Sequence, residues 1–145
     1  MPSAPATFQP IEFYYLASWL YSVKPASSEQ SLKRTIIGRA YYAALLAGSD
    51  KTGTPTTGQN SHQNVISAVQ NIDSQAANNL RSINQLRRKA DYEKPDVNER
   101  DVQISLREAK SVLEILGFLT PDAPSITKDY LDKSKFLVPC PPSTS

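Results

Sequence analysis

Proline is the residue that most constrains how this chain folds. Pro10, Pro25, Pro55, Pro95 and Pro121 stand far apart, and the stretches between them carry apolar residues at helical spacing. Proline removes a backbone donor and clashes with the preceding turn, so proline-free intervals are open to helix and the prolines mark their ends. No convincing period-two alternation occurs anywhere, which argues against a sheet. The expectation is an all-α, up-and-down bundle of four to five helices. At 145 residues the chain is long enough to close one core without metal or disulfide support.

The first helix should run from Pro10, well suited to a first turn, to about Val23, with Phe13, Leu16, Ala17 and Leu20 on its inner face. Tyr14, Tyr15, Trp19 and Tyr21 make its other faces aromatic, for packing on the bundle or on a second subunit. A second helix is expected from Ser27 or Ser28, both good caps, to Gly48, with Leu32, Ile36, Ala40, Ala43, Ala44 and Ala47 as its stripe. Residues 49–61 read as a polar loop, and Ser61 as the cap of a short third helix carrying Val65, Ile66 and Val69. A fourth helix follows from about Ser74 to Glu93 around Leu80, Ile83, Leu86 and Ala90, stopped by Lys94-Pro95-Asp96. Asn98 should cap a fifth, whose stripe of Val102, Leu106, Ala109, Leu113 and Leu116 stops at Gly117. Residues 1–9 are expected to be flexible and 10–117 to form the domain. Residues 118–145 read as an extension with a short helix at Ser125 to Leu137 and a disordered proline-rich tail.

Composition excludes several classes. Cys140 is the sole cysteine and His62 the sole histidine, too few for a disulfide or a usual zinc site within one chain. No metal or cofactor is expected. No leader pattern marks the N-terminus and no stretch approaches the roughly 18 apolar residues of a membrane span, so a cytoplasmic chain without membrane contact is expected. The formal charge of +2 is small, but it is unevenly spread. Arg81, Arg87, Arg88, Lys89 and Lys94 outnumber Asp91 and Glu93 within one predicted helix. Such a field suits a polyanion or simply a solvated face. Glycine-rich phosphate loops, paired catalytic carboxylates and nucleophile elbows are absent from the sequence.

Two segments set polar or aromatic groups into helices that should face a core: Arg39-Ala40-Tyr41-Tyr42-Ala43-Ala44 and Arg87-Arg88-Lys89-Ala90-Asp91-Tyr92. Burying such groups is costly unless they are paired, so they suggest a site as well as a scaffold. Together with His62-Gln63-Asn64-Val65-Ile66 between them, their order resembles the HEPN superfamily. The closer likeness is to its small stand-alone branch, with an RAYYAA second helix and an RxxADY end to the fourth. The likeness covers about residues 10–117. It implies a helical homodimer of toxin or defence type that binds RNA or a nucleotide.

Catalytic members are metal-independent endoribonucleases in which an arginine precedes a histidine by a few residues. Here Arg87 matches the arginine and Tyr92 stands where the histidine would fall. Unperturbed histidine titrates near pH 6.5 and tyrosine near 10, so the exchange weakens proton transfer while leaving phosphate recognition by arginine intact. The resemblance makes Arg87, Asp91 and Tyr92 the candidate catalytic residues, and together with the local positive charge it makes Arg39, Arg81, Arg88 and Lys89 candidate nucleic-acid contacts. In a toxin–antitoxin setting a small nucleotidyltransferase is the candidate antitoxin, and Tyr92 a candidate for modification.

Each residue also has a structural reading. At about 100° per residue, Arg87 lies roughly 60° from the centre of its helix's apolar stripe, on the shoulder of the core. There it meets either a ligand or an acid such as Asp91 or Glu108. Arg88 falls on the solvent side. Asp91 can orient Arg87, Tyr92 can be a packed aromatic, His62 can pack or cap, and Arg39 can be half-buried and paired. Tyr41 and Tyr42 read as core and interface. The rival function is a non-catalytic helical module for dimerisation or partner binding.

Overall fold

Small residues make the second helix approachable from every side, and the rest of the fold is arranged around it. The computed structural model describes residues 9–23, 29–92 and 96–119. They form five helices and no strand: α1 (Pro10–Val23), α2 (Gln30–Thr52), α3 (Ser61–Gln70), α4 (Ser74–Tyr92) and α5 (Glu99–Ile115). The chain is an all-α bundle. α2 packs against each of the other four helices, and α4 also packs on α3 and α5. The expected stripe of α2 is buried except for Leu32, which is half-buried, but Ile37, Tyr41 and Leu45 on a second face are buried as well. A helix enclosed on several sides has no single apolar face to read.

Gly48 does not end α2. The helix runs a turn further to Thr52 and closes at Gly53, whose left-handed φ of 73° lets its N–H donate to the Ser49 carbonyl. Gly48 is there for spacing instead. A Cβ on it would stand 2.9 Å from Val69 Cγ2 and 3.1 Å from Val65 Cγ1, so its absence sets how closely α2 and α3 approach. The loop is accordingly shorter than expected, and Ser61 is the first residue of α3 rather than its cap. Its hydroxyl donates to the Thr56 carbonyl at 2.9 Å, and the N-cap position falls to Asn60, left-handed at φ 60°.

α1 is rotated from the expected face. Pro10, Tyr14 and Ala17 are buried, while Phe13, Leu16 and Leu20 are only half-buried. The Tyr21 hydroxyl, one turn on, donates to Glu99 of α5 at 2.9 Å. Both ends of α5 behave as the sequence indicates. Asn98 and Asp101 form a reciprocal capping box, and Gly117 at φ 88° closes the helix with N–H donation from Gly117 to Glu114 and from Phe118 to Leu113. Gln30 ties the approach to α5 by bonding both the N–H and the carbonyl of Val97. The expected caps Ser27 and Ser28, the stop at Lys94-Pro95, the flexible residues 1–8 and everything expected beyond Leu119 lie outside the described residues.

Candidate functional site

In α4 the buried line is Leu80, Ile83, Arg87 and Ala90, with Leu86 half-buried beside it. Arg87 thus stands deeper than the shoulder expected of it, and is only 7% exposed. Its surroundings explain how a cation is tolerated there. The guanidinium carbon lies 4.9 Å from the centroid of the Tyr41 ring, a cation–π contact in a largely desolvated place. One terminal nitrogen donates to Asn84 Oδ1 at 3.0 Å, and the other reaches Asp91 Oδ2 at 3.4 Å. That ion pair is long for a charge-assisted hydrogen bond. Nε is buried with no partner among the described residues. Burial alone would weaken the Arg87 charge, but Tyr41, Asp91 and Tyr42 outweigh it and raise its pKa.

Tyr41 links Arg87 to His62, which is expected from the sequence to pack or cap. Its hydroxyl lies 2.9 Å from His62 Nδ1, with the two rings 5.7 Å apart. Burial, opposed by Arg87, pushes the phenol up to about 12, so it holds its proton. Burial and the nearby Arg87 push the His62 imidazole down, so it is neutral at pH 7. A buried hydroxyl proton without an acceptor costs about 1–3 kcal/mol. We therefore assign the hydrogen bond as Tyr41 O–H to His62 Nδ1, which leaves the imidazole proton on Nε2.

His62 and Arg87 share a cavity of about 240 Å³ with Asn60, Ser61 and Gln63 of the α3 start and with Arg88. Among the described residues no acidic one lines it. The first turn of α3 opens into it without a side-chain cap on its amides, since the Asn60 side chain makes no capping bond and the Ser61 hydroxyl is turned to Thr56. Uncapped amides carry about half a positive charge at a helix start. The cavity therefore combines two guanidinium groups, a neutral imidazole N–H and a helix N-terminus.

The other predicted residues divide around it. Arg88 is exposed at the rim, as expected. Asp91 pairs with Arg87 and faces a second, similar-sized cavity with Arg34, Thr35, Gly38, Arg39 and Tyr42. Arg39 is half-buried there, its guanidinium 4.7 Å from the Phe13 ring centroid and 5.8 Å from that of Tyr42. Tyr92 is no packed aromatic. It is 73% exposed, with its ring centroid 5.9 Å from the Arg87 guanidinium carbon. Two basic residues lie apart from the cluster. Arg81 bonds Gln70 and Asn78, and Lys89 forms an ion pair with Asp101 at 3.1 Å. Glu108 is not the ion-pair partner of Arg87, which is Asp91, and has one buried carboxylate oxygen without a hydrogen bond among the described residues.

Among the described residues no group of three or more His, Cys, Asp or Glu could hold a metal ion, and no helix is long and apolar enough to cross a membrane. Comparison with protein-family models, curated proteins and solved structures finds no match to this chain.

Proposed function

We propose that this chain is an RNA- or nucleotide-binding helical bundle of HEPN type, of the toxin or defence kind, holding phosphate at Arg87. The observation that carries the reading is the buried, incompletely compensated Arg87 beside a helix start without a side-chain cap, in a cavity lined by no acid among the described residues. Arginine offers planar paired donors, and helix amides add a field that favours anions. Binding is the primary reading because Asp91 and His62, two of the groups that could transfer a proton, are engaged. The Asp91 carboxylate is paired with Arg87, and His62 Nδ1 accepts from Tyr41. Metal-free cleavage by Arg87 with Tyr92 or Asp91 is scored in the same assay.

The test is titration of a labelled RNA pool in EDTA with wild type, Arg88→Ala and Arg87→Lys, with folding checked by circular dichroism. Arg88 is exposed, so its removal should leave the fold intact, weaken binding several-fold and lower the salt slope by about one. Arg87→Lys keeps the charge and loses the fork, and should weaken binding further. Unchanged binding in both variants would overturn the reading. Shortened RNA, lost in Arg87→Lys and Tyr92→Phe, would add catalysis to it.

The exposure of Tyr92 favours a second reading, a non-catalytic partner module in which that hydroxyl is reached by a nucleotidyltransferase antitoxin. Intact mass after co-expression with such an enzyme should show an added nucleotide on wild type and none on Tyr92→Phe.

A further inference from the structure

The Arg87 cavity differs from a groove that follows a nucleic-acid backbone. At about 240 Å³ it falls below the roughly 300–1,000 Å³ of pockets that enclose a whole small-molecule ligand. It is the size of an end group rather than of a strand. Its donors converge from two elements. On one side stands the first turn of α3, where the Ser61 amide is taken by the Gly58 carbonyl and the amides have no side-chain cap, on the other Arg87 and Arg88 of α4. His62 supplies a third direction. With Nδ1 held by the Tyr41 hydroxyl, the opposite edge of the ring carries N–H at Nε2. Arg87, Arg88 and the His62 N–H are donors, Asn84 Oδ1 is taken up by Arg87, and the carboxylate of Asp91 faces the neighbouring cavity.

Resting on the reading of the site as a phosphate binder, we infer that this cavity takes the phosphate monoester group of a nucleotide or of a phosphate-ended RNA, in preference to an internal phosphodiester. A monoester carries about −1.5 to −2 charges at pH 7 and three terminal oxygens. A diester carries one charge and two free oxygens, and its chain must leave in two directions. Two guanidinium groups plus about half a charge from the helix start, offset by one paired carboxylate, match the dianion better. Three directions of donors likewise match three oxygens. The Tyr41–His62 bond has a role in this scheme. It aims the imidazole as a donor, while burial and the nearby Arg87 keep the ring neutral, so the site does not depend on histidine protonation.

His62 is the only histidine in the chain, so its ring nitrogens give one isolated set of signals in a long-range proton–nitrogen spectrum of the full-length protein. At pH 7 those signals should show the Nε2–H tautomer. Adenosine 5′-monophosphate and inorganic phosphate should shift them saturably at constant ionic strength, whereas chloride should not. Dimethyl phosphate, a diester with one charge, should bind at least about tenfold more weakly, the ratio one charge-assisted hydrogen bond supplies. Arg88→Ala, at an exposed position, should reduce the affinity for phosphate and shrink the preference for the monoester. Equal response to dimethyl phosphate, or no saturable shift with any phosphate, would overturn the inference.

Two RNA oligonucleotides, phosphate-ended and hydroxyl-ended, separate this from the broader reading. If both bind equally tightly, RNA binding stands and the monoester site falls. If the monoesters shift His62 and neither RNA binds, the site stands with a mononucleotide as its source and the RNA reading falls. Tighter binding of the phosphate-ended RNA supports both.

Discussion

Three side chains from three helices form one connected unit. Arg87 lies over the Tyr41 ring, the Tyr41 hydroxyl meets His62, and Arg87 in turn depresses the imidazole. The chain has a consequence for pH. His62 is pushed below its ordinary value in the folded state, so on acidification the unfolded chain takes up the proton first. Stability is then present above about pH 6.5 and declines as pH falls from there toward the folded-state value. Denaturant unfolding at pH 7.5 and 5.5 should show a larger loss for wild type than for His62→Gln. Equal losses would mean that other groups set the acid response. The arginine and tyrosines were legible as out of place in their helices. Their meeting with His62 was not, because the Tyr41–His62 contact spans 21 residues and a loop.

Glycine has opposite meanings at two places in α2. Gly48 faces the buried valines of α3, and a Cβ at 2.9 Å from Val69 leaves a rigid, fully buried neighbour no room to move. Gly38 has nothing within 4 Å of an added Cβ and opens on the Arg39 cavity. Gly38→Ala should therefore stabilise the protein by about 0.5–1 kcal/mol through helix propensity alone. Gly48→Ala gains the same propensity but overpacks, and should destabilise by about 1–2 kcal/mol net. Thermal unfolding of both variants checks the pair, and a stabilised Gly48→Ala would show that α3 yields. The contacts that fix α4 are likewise not local. Arg34 of α2 donates to the Lys89 and Ala90 carbonyls in its last turn, where helix carbonyls lack intrahelical partners and favour a cation.

For the whole molecule, the homodimer that the HEPN resemblance implies is the level at which a paired cleft would exist. Among the described residues Tyr92 is the most exposed large hydrophobic one, and it sits beside the Arg87–Asp91 pair. Light scattering after gel filtration at micromolar concentration should give twice the chain mass. A monomer that still binds RNA would confine the site to one chain. What the sequence determined by itself is the all-α class and the helix ends set by short-range chemistry, such as the Asn98 cap and the Gly117 stop. These hold because capping bonds and a left-handed φ involve only residues within one turn. The tertiary structure alone decided which face of α1 is inward, why Gly48 must be small, and that Arg87, Tyr41 and His62 converge. Helical periodicity offers several faces of similar character, and the one that is buried depends on the shape of a neighbour supplied by a distant part of the chain.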